Sequence, residues 1–505
     1  MNPPAQKSAL GLFLPILAAS LFWWQTTDRL DLPKLWMGLG LVLAMLLFDT
    51  IRQKRFRQEL WTFVLTGALA FTLFVDPENM IERVEIWALW LFWLGLFALG
   101  RGVKEDALAS WLSRLALAIS ALAWLQAAGL PLFNAELSGF EGRRVVACLG
   151  GPGHLGWTLA LLLPWLAHHA RKHLSSWAAG AVLAFVIGAL VLSGARTAWV
   201  MAALALPFGL GWPGLRRTAW LAGLILFGVL LAVGLDLLGD KARLSDRIDD
   251  IAETGGTAQG RAYLWRVHGS AQGDWLTTPL GYGPEGFQRR WPDWQRNYLK
   301  THPEDKRFRT DLRHAHADLV EIGSDLGPLA LLGLLVLFGF ALWRIPPEGK
   351  RWSGPALGCL VAGLAGGLAA PVMFFAPTAG LVVASLGLRL GPARRFAVPG
   401  SRLLILGMLG LALFVGAKRI LSERNRTQAT EIEAQGRLEI ARVLVEQASG
   451  LDSGNLRAWI LRARICRKMN DPSCACASVD QAQRRLPSDA LQRRHKACQS
   501  HGRWW

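Results

Sequence analysis

Between residues 9 and 417 the chain is a succession of apolar runs, each close to the length a helix needs to cross a lipid bilayer. A helix rises about 1.5 Å per residue, so roughly 20 apolar residues cover a hydrocarbon core about 30 Å thick. Such runs fall at 9–24, 35–48, 60–75, 84–99, 111–132, 155–167, 177–192, 197–211, 219–238, 328–343, 355–375, 378–390 and 403–417. With 52% of its 505 residues hydrophobic and a mean hydropathy of +0.28, the chain does not fit a water-soluble class. No small-residue cleavage site follows the first run, so it is expected to be a span and not a signal peptide. The expected fold is all-α, a polytopic membrane protein of about 12–13 transmembrane helices.

Basic residues are distributed by the same logic. Lys and Arg collect in cytoplasmic loops, and here they follow every second run. Arg52, Lys54, Arg55 and Arg57 follow the second, Arg101 and Lys104 the fourth, Arg171 and Lys172 the sixth, Arg216 and Arg217 the eighth. Arg344, Lys350 and Arg351 follow the tenth, and Arg389, Arg394, Arg395 and Arg402 surround the end of the twelfth. This predicts a cytoplasmic N-terminus. Much of the net charge of +18 is then topology and needs no nucleic acid partner.

Two segments depart from the span pattern and divide the chain into four parts. Residues 1–239 and 327–418 hold the spans, 240–326 form a long polar loop, and 419–505 form a polar tail. Both polar segments are expected outside the cytoplasm. A connection as long as the loop is usually functional. Its 13 basic and 14 acidic residues nearly balance, so a single arginine such as Arg261 could be one more surface charge.

The tail is rich in Ala, Arg, Glu and Gln, and 438–448, 455–469 and 473–486 read as amphipathic helices separated by Asp471-Pro472 and Leu486-Pro487. The pair over 455–487 resembles a tetratricopeptide hairpin. Cys466, Cys474, Cys476 and Cys498 crowd its last forty residues, an even set suited to disulfides outside the cytosol. Cys474 and Cys476 do not easily pair with each other on one helix, which leaves Cys466 and Cys498 as their partners in either order. Zinc is the rival reading, with His495 nearby, but the spacing fits no common zinc pattern. The tail is either a stapled appendage or a docking surface for a periplasmic protein.

Within the loop, Gly255, Gly256 and Gly260 precede Arg261-Ala262-Tyr263-Leu264-Trp265, which can begin an amphipathic helix. A glycine-rich turn follows at 278–287, and Arg313-His314-Ala315-His316-Ala317-Asp318 closes the loop before apolar sequence resumes. A helix over 316–324 is expected to run into or just ahead of the next span. Histidines there suit proton transfer at a membrane surface; they equally suit helix capping or headgroup contact. Arg196 lies in the short connection between two spans, where an arginine also snorkels to the interface. Arg290-Trp291-Pro292-Asp293-Trp294 reads as an interfacial aromatic anchor or a sugar-stacking platform, the anchor being favoured.

Four segments together resemble the O-antigen ligase and polymerase superfamily of bacterial envelope glycan enzymes. Leu149-Gly150-Gly151-Pro152-Gly153-His154-Leu155-Gly156, preceded by Arg143-Arg144, is similar to the family's Gly-x-x-x-Pro-Asn-x-Leu-Gly segment. Ser193-Gly194-Ala195-Arg196-Thr197-Ala198 is similar to its Thr-Gly-Ser-Arg-Thr-Ala. Gly260-Arg261-x-x-x-Trp265 and Pro279-Leu280-Gly281-Tyr282-Gly283 are similar to its Gly-Arg-x-x-x-Trp and Pro-x-x-Gly-x-Gly run. His314-Ala315-His316-Ala317-Asp318-Leu319 with Asp325-Leu326-Gly327 is similar to its His-x-His-Asn block ahead of Glu-Thr-Gly. The likeness covers roughly 140–345. Ala317 and Gly153 stand where the family has Asn, so contacts of those side chains do not carry over.

The resemblance implies an inverting, metal-independent glycosyltransferase of the bacterial inner membrane, without a cofactor. Its donor would be a glycan on undecaprenyl diphosphate at the periplasmic face. A diphosphate leaving group calls for cations that keep their charge and bind oxygens bidentately. Arg196 and Arg261 are the candidates, with Arg144 third and Arg143 secondary. The acceptor hydroxyl needs a base, and His316 is preferred to His314 because its eleven-residue distance to Gly327 follows the family. An O-antigen ligase acting on lipid A–core is the first reading. A polymerase extending a lipid-linked glycan, or an oligosaccharyltransferase acting on a protein hydroxyl, shares the donor and differs in acceptor. A transporter would call for charged or broken spans and internal repeats, and none is evident.

Overall fold

The computed structural model describes residues 3–20, 32–53, 56–57, 80–101, 103–130, 145–149, 151–211, 257–271, 281–282, 286–308, 315–344, 354–391, 395–396, 401–453, 455–485, 495 and 498. In chain order the elements are α1 (Pro3–Ser20), α2 (Leu32–Gln53), β1 (Phe56–Arg57), α3 (Met80–Gly100), α4 (Glu105–Ala127), α5 (Pro152–His173), α6 (Ser176–Leu192) and α7 (Arg196–Leu210). Next come α8 (Thr257–Ser270), α9 (Gly286–Thr301), the 3-10 turn η1 (Pro303–Phe308), α10 (Asp318–Trp343), α11 (Pro355–Gly367) and α12 (Ala376–Leu390). Last are β2 (Arg395–Phe396), α13 (Ser401–Ala434), α14 (Leu438–Leu451), α15 (Leu456–Lys468) and α16 (Pro472–Arg485). The described chain is all-helical apart from the two-residue antiparallel pairing of β1 with β2, Phe56 opposite Phe396 and Arg57 opposite Arg395.

The apolar runs at 60–75 and 219–238 lie outside the described residues; each of the others is carried by a helix. One run is interrupted well before its end. The stretch 355–375 is helical only to Gly367, and 368–375 is a non-helical break before α12 in which Ala370, Val372, Met373 and Phe375 are buried. At 13 and 15 residues, α11 and α12 are about 20 and 22 Å long, less than a full bilayer core. Pro371 within the break and Pro377 at the start of α12 account for the interruption, since neither ring nitrogen can donate to a continuing helix. By length and composition α4 and α10 could each cross a membrane. Along α10, Leu329, Leu332, Val336, Phe340 and Trp343 are 57–65% exposed at three- and four-residue spacing, an apolar stripe fit for lipid and costly in water.

The core is one apolar cluster from α1–α7 and α10–α12, with close backbone approach at small residues. In α7, a Cβ at Gly209 would sit 2.4 Å from the Pro164 carbonyl oxygen of α5, so the two parallel helices touch only because that side chain is missing. The bundle has two chemically distinct ends. One collects arginines and lysines: Arg101 donates to the Gly391 carbonyl, Arg389 to the carbonyls of Ala341 and Arg344, and Lys172 and His168 both reach Asp106. The other holds the N-termini of α5, α7, α10 and α12.

The described residues between 257 and 308 build a subdomain with its own aromatic core. Tyr263, Leu264, Val267, Phe287, Trp291, Trp294 and Tyr298 are buried together with Ala315. This overturns the interfacial-anchor reading of 290–294, because Trp291 and Trp294 are 1% and 4% exposed and fill that core. The Asp305 carboxylate accepts from Tyr298 Oη at 2.7 Å and Arg266 Nη2 at 3.1 Å, tying η1 to α8 and α9.

The tail grows out of the bundle. α13 is 34 residues, about 51 Å long, and begins beyond β2 at the basic end. It passes α2, with Leu413 beside Gly40, and continues past the bundle's other end into α14–α16. Arg419 pairs with Asp452, Arg426 with Glu423, and Lys468 with Glu433, while disulfides join Cys466 to Cys474 and Cys476 to Cys498.

Candidate active site

The glycine–proline segment opens α5, with Gly151 extended as N-cap and Pro152 at the first helical position, where its missing N–H costs nothing. Four residues on, Gly156 lies against the start of α7. A Cβ there would meet Ala195 Cβ at 2.6 Å and Ser193 Oγ at 2.8 Å. Two of the sequence motifs are therefore one packing unit. Ser193 Oγ donates to the Leu190 carbonyl at 2.6 Å and accepts the Ala195 N–H at 3.2 Å, and Gly194 takes φ +62°. This turn delivers Arg196 as the first residue of α7, half-buried at the motif-bearing end.

Arg261 approaches from the loop subdomain. α8 begins at Thr257 and runs through Gly260, so Arg261 stands in its second turn, not at the helix start expected from the glycines. Its side chain is half-buried. Burial, and beside it the positive charge of Arg196, hold its guanidinium below the usual arginine range, though still charged. Two like charges drawn together in a partly desolvated place are unfavourable alone and favourable around a dianion. Among the described residues Arg261 has no carboxylate partner.

His316 reaches the same end through α10. It is exposed and adopts φ +52°, the left-handed region that few residues other than glycine enter, histidine being among those enriched there. Anchors on both sides hold it. The Ala315 N–H donates to Glu321 Oε2 at 2.9 Å, and Ala317 is the extended N-cap of α10. His314, Arg143 and Arg144 lie outside the described residues.

The loop subdomain docks on the first turns of α10. Gly281, at φ +72°, lies so close to α10 that a Cβ would be 2.4 Å from the Gly327 nitrogen; Gly327 itself, at φ +86°, kinks the helix. The Tyr282 N–H donates to the Ser324 carbonyl at 2.9 Å, and the Phe287 N–H to Asp325 Oδ1 at 2.8 Å, so Asp325 caps α9. His268 Nε2 meets Ser324 Oγ at 3.0 Å, and burial pushes that imidazole down to about 4. Gly281 and Tyr282 and the segment at 324–327 are thus two sides of one contact.

Three features of this end were not singled out from sequence. Glu321 was legible: an acid in the first turn reaching back ahead of its helix is a capping pattern. Asp318 was quoted within a motif and given no role. The break at 368–375 carried a signal in Pro371 and Pro377, masked by the apolar residues around them. The break touches two helix starts, with Phe375 stacked on His154 of α5 at 4.0 Å between ring centres and Met373 bonded to Asp318.

No curated protein matches the chain. Residues 180–335 match the sequence model of the O-antigen ligase family. That segment contains Arg196, Arg261, His316 and the loop subdomain, so over this stretch the chain is similar to the O-antigen ligase family.

Proposed function

We propose that the protein is an inverting glycosyltransferase of O-antigen assembly that moves a glycan from undecaprenyl diphosphate to an acceptor hydroxyl at the periplasmic face of the inner membrane. The observation that carries this reading is the approach of Arg261 to Arg196, two cations from separate motifs in a segment that matches the ligase family. They bind the diphosphate, and Arg144 is a further candidate for the same task. His316 takes the acceptor proton as the hydroxyl oxygen attacks the anomeric carbon. The bond from that carbon to the phosphate oxygen breaks, and its electron pair leaves with the diphosphate. The arginines meet the negative charge as it grows, which is where fixed cations lower a barrier most. The separation of a basic end from a motif-bearing end supports an N-terminus in the cytoplasm, with loop and tail in the periplasm. Lipid A–core is the proposed acceptor. The alternatives are a lipid-linked glycan, as for a polymerase, and a protein hydroxyl.

Purified full-length protein with lipid-diphosphate-linked glycan and each acceptor class in turn should release undecaprenyl diphosphate with one of them. His316→Ala should lower release by about 10²- to 10⁴-fold, the range of a lost general base. Arg261→Ala should lower it by about 10²- to 10³-fold, like a lost transition-state donor. Normal turnover in a folded His316→Ala protein refutes the base.

A further inference from the structure

Asp318 is the most deeply buried acid near this end, 1% exposed, two residues after His316. Its Oδ2 accepts the Met373 N–H at 2.9 Å, with the Val372 amide beside it, and lies where a Cβ on Gly367 would approach to 2.9 Å. Its Oδ1 is buried with no hydrogen-bond partner among the described residues. Burying a carboxyl so incompletely satisfied is costly. A helix N-cap needs none of this, since a side chain at the helix start would accept from its own first turn. The group instead reaches across to another pair of helices.

We infer that Asp318 is a positioning residue that locks the His316 turn onto the break between α11 and α12. The break is itself rigid: Ala370, Val372 and Phe375 are fully or almost fully buried, and Thr378 Oγ1 donates to the Phe375 carbonyl at 2.9 Å and to that of Val372. Phe375 carries the connection on to His154 at the start of α5, whose Gly156 abuts the turn that presents Arg196. The left-handed turn at His316 is thus held by Glu321 from within α10 and, through Asp318, by the break outside it. The outside tie sets where the imidazole stands relative to the arginine side of the site. Gly367 is required because any side chain there would push the carboxylate off the Met373 amide.

This rests on His316 being the base, so the test has one arm that reads activity and one that does not. In full-length protein, Asp318→Ala should speed amide exchange across 368–376 by tenfold or more. It should also lower kcat by about 10- to 100-fold, the scale of an ångström of misplacement, with KM for the lipid donor within threefold. Asp318→Asn keeps an oxygen acceptor of the same shape and should restore kcat to within about threefold. Gly367→Ala should reproduce the Asp318→Ala pattern without removing a charge, and serves if Asp318→Ala does not fold. Unchanged exchange in Asp318→Ala or Gly367→Ala, or an Asn variant as impaired as the Ala variant, overturns the inference. If exchange rises while His316→Ala retains turnover, the tie stands and the base assignment is what fails.

Discussion

The loop subdomain and the tail both leave the bundle at the end that carries the motifs, yet they are held in different ways. The loop subdomain has an aromatic core and is fastened to α10 by single directed contacts: Tyr282 to Ser324, His268 to Ser324, Phe287 to Asp325. The tail has a core of small aliphatic residues and is fastened to itself, by two disulfides and by ion pairs such as Lys468 with Glu433. One is built to be located against the membrane-embedded site, the other to persist as an independent surface. As a proposal, this difference places the chemistry in the loop and partner docking in the tail.

The largest effect should come from breaking the loop's location. Asp325 is 5% exposed and caps α9 through the Phe287 amide. Asp325→Ala leaves that donor buried and unpaired, at a cost of about 1–3 kcal/mol, and frees the glycine turn from the kink at Gly327. Turnover should fall by about 100-fold or more, because the loop carries Arg261 and a shift of an ångström suffices. The measurement is undecaprenyl diphosphate release alongside proteolysis of the loop. Near-normal release with the loop cleaved faster would dissociate loop location from catalysis.

The tail should respond in the opposite sense. In the chain-entropy picture, closing loops of 8 and 22 residues contributes about 2–3 and about 3 kcal/mol. Replacing all four cysteines by serine should therefore lower the tail's unfolding midpoint markedly while leaving turnover in detergent within twofold. A matching loss of turnover would mean that the tail is part of the site, and the contrast between the two extensions would collapse.

What could be read from sequence follows the same division. Apolar runs show helices well because lipid demands length and hydrophobicity: the runs at 84–99, 111–132 and 403–417 fall on helices at 80–100, 105–127 and 401–434, though the ends differ and the last helix runs on into the polar tail. Motif order pointed to Arg196, Arg261 and His316 because glycine turns and capping positions have local signals. Trp291 and Trp294 misled, since a membrane-facing and a buried tryptophan are the same letter when a loop can fold on itself. Asp318 was unreadable for a related reason: its partner is an amide 55 residues away, and backbone amides leave no mark in a sequence.

The smallest effect should separate stability from chemistry within the loop itself. His268 is 7% exposed, beside Ser324 and Trp294, and burial lowers it from 6.5 to about 4. Because the folded-state value is depressed, the unfolded chain binds the extra proton between about pH 6.5 and 4 and the folded chain does not. Loop stability should be full above pH 6.5, fall as pH drops through that window, and level off near 4. The total is at most about 3–4 kcal/mol at 1.36 kcal/mol per pH unit. His268→Gln removes the titration, so amide exchange in α8 should lose its acid dependence while the pH profile of turnover keeps its shape. If the turnover profile flattens too, His268 takes part in the chemistry, and the loop's docking contact with Ser324 has to be counted as part of the active site.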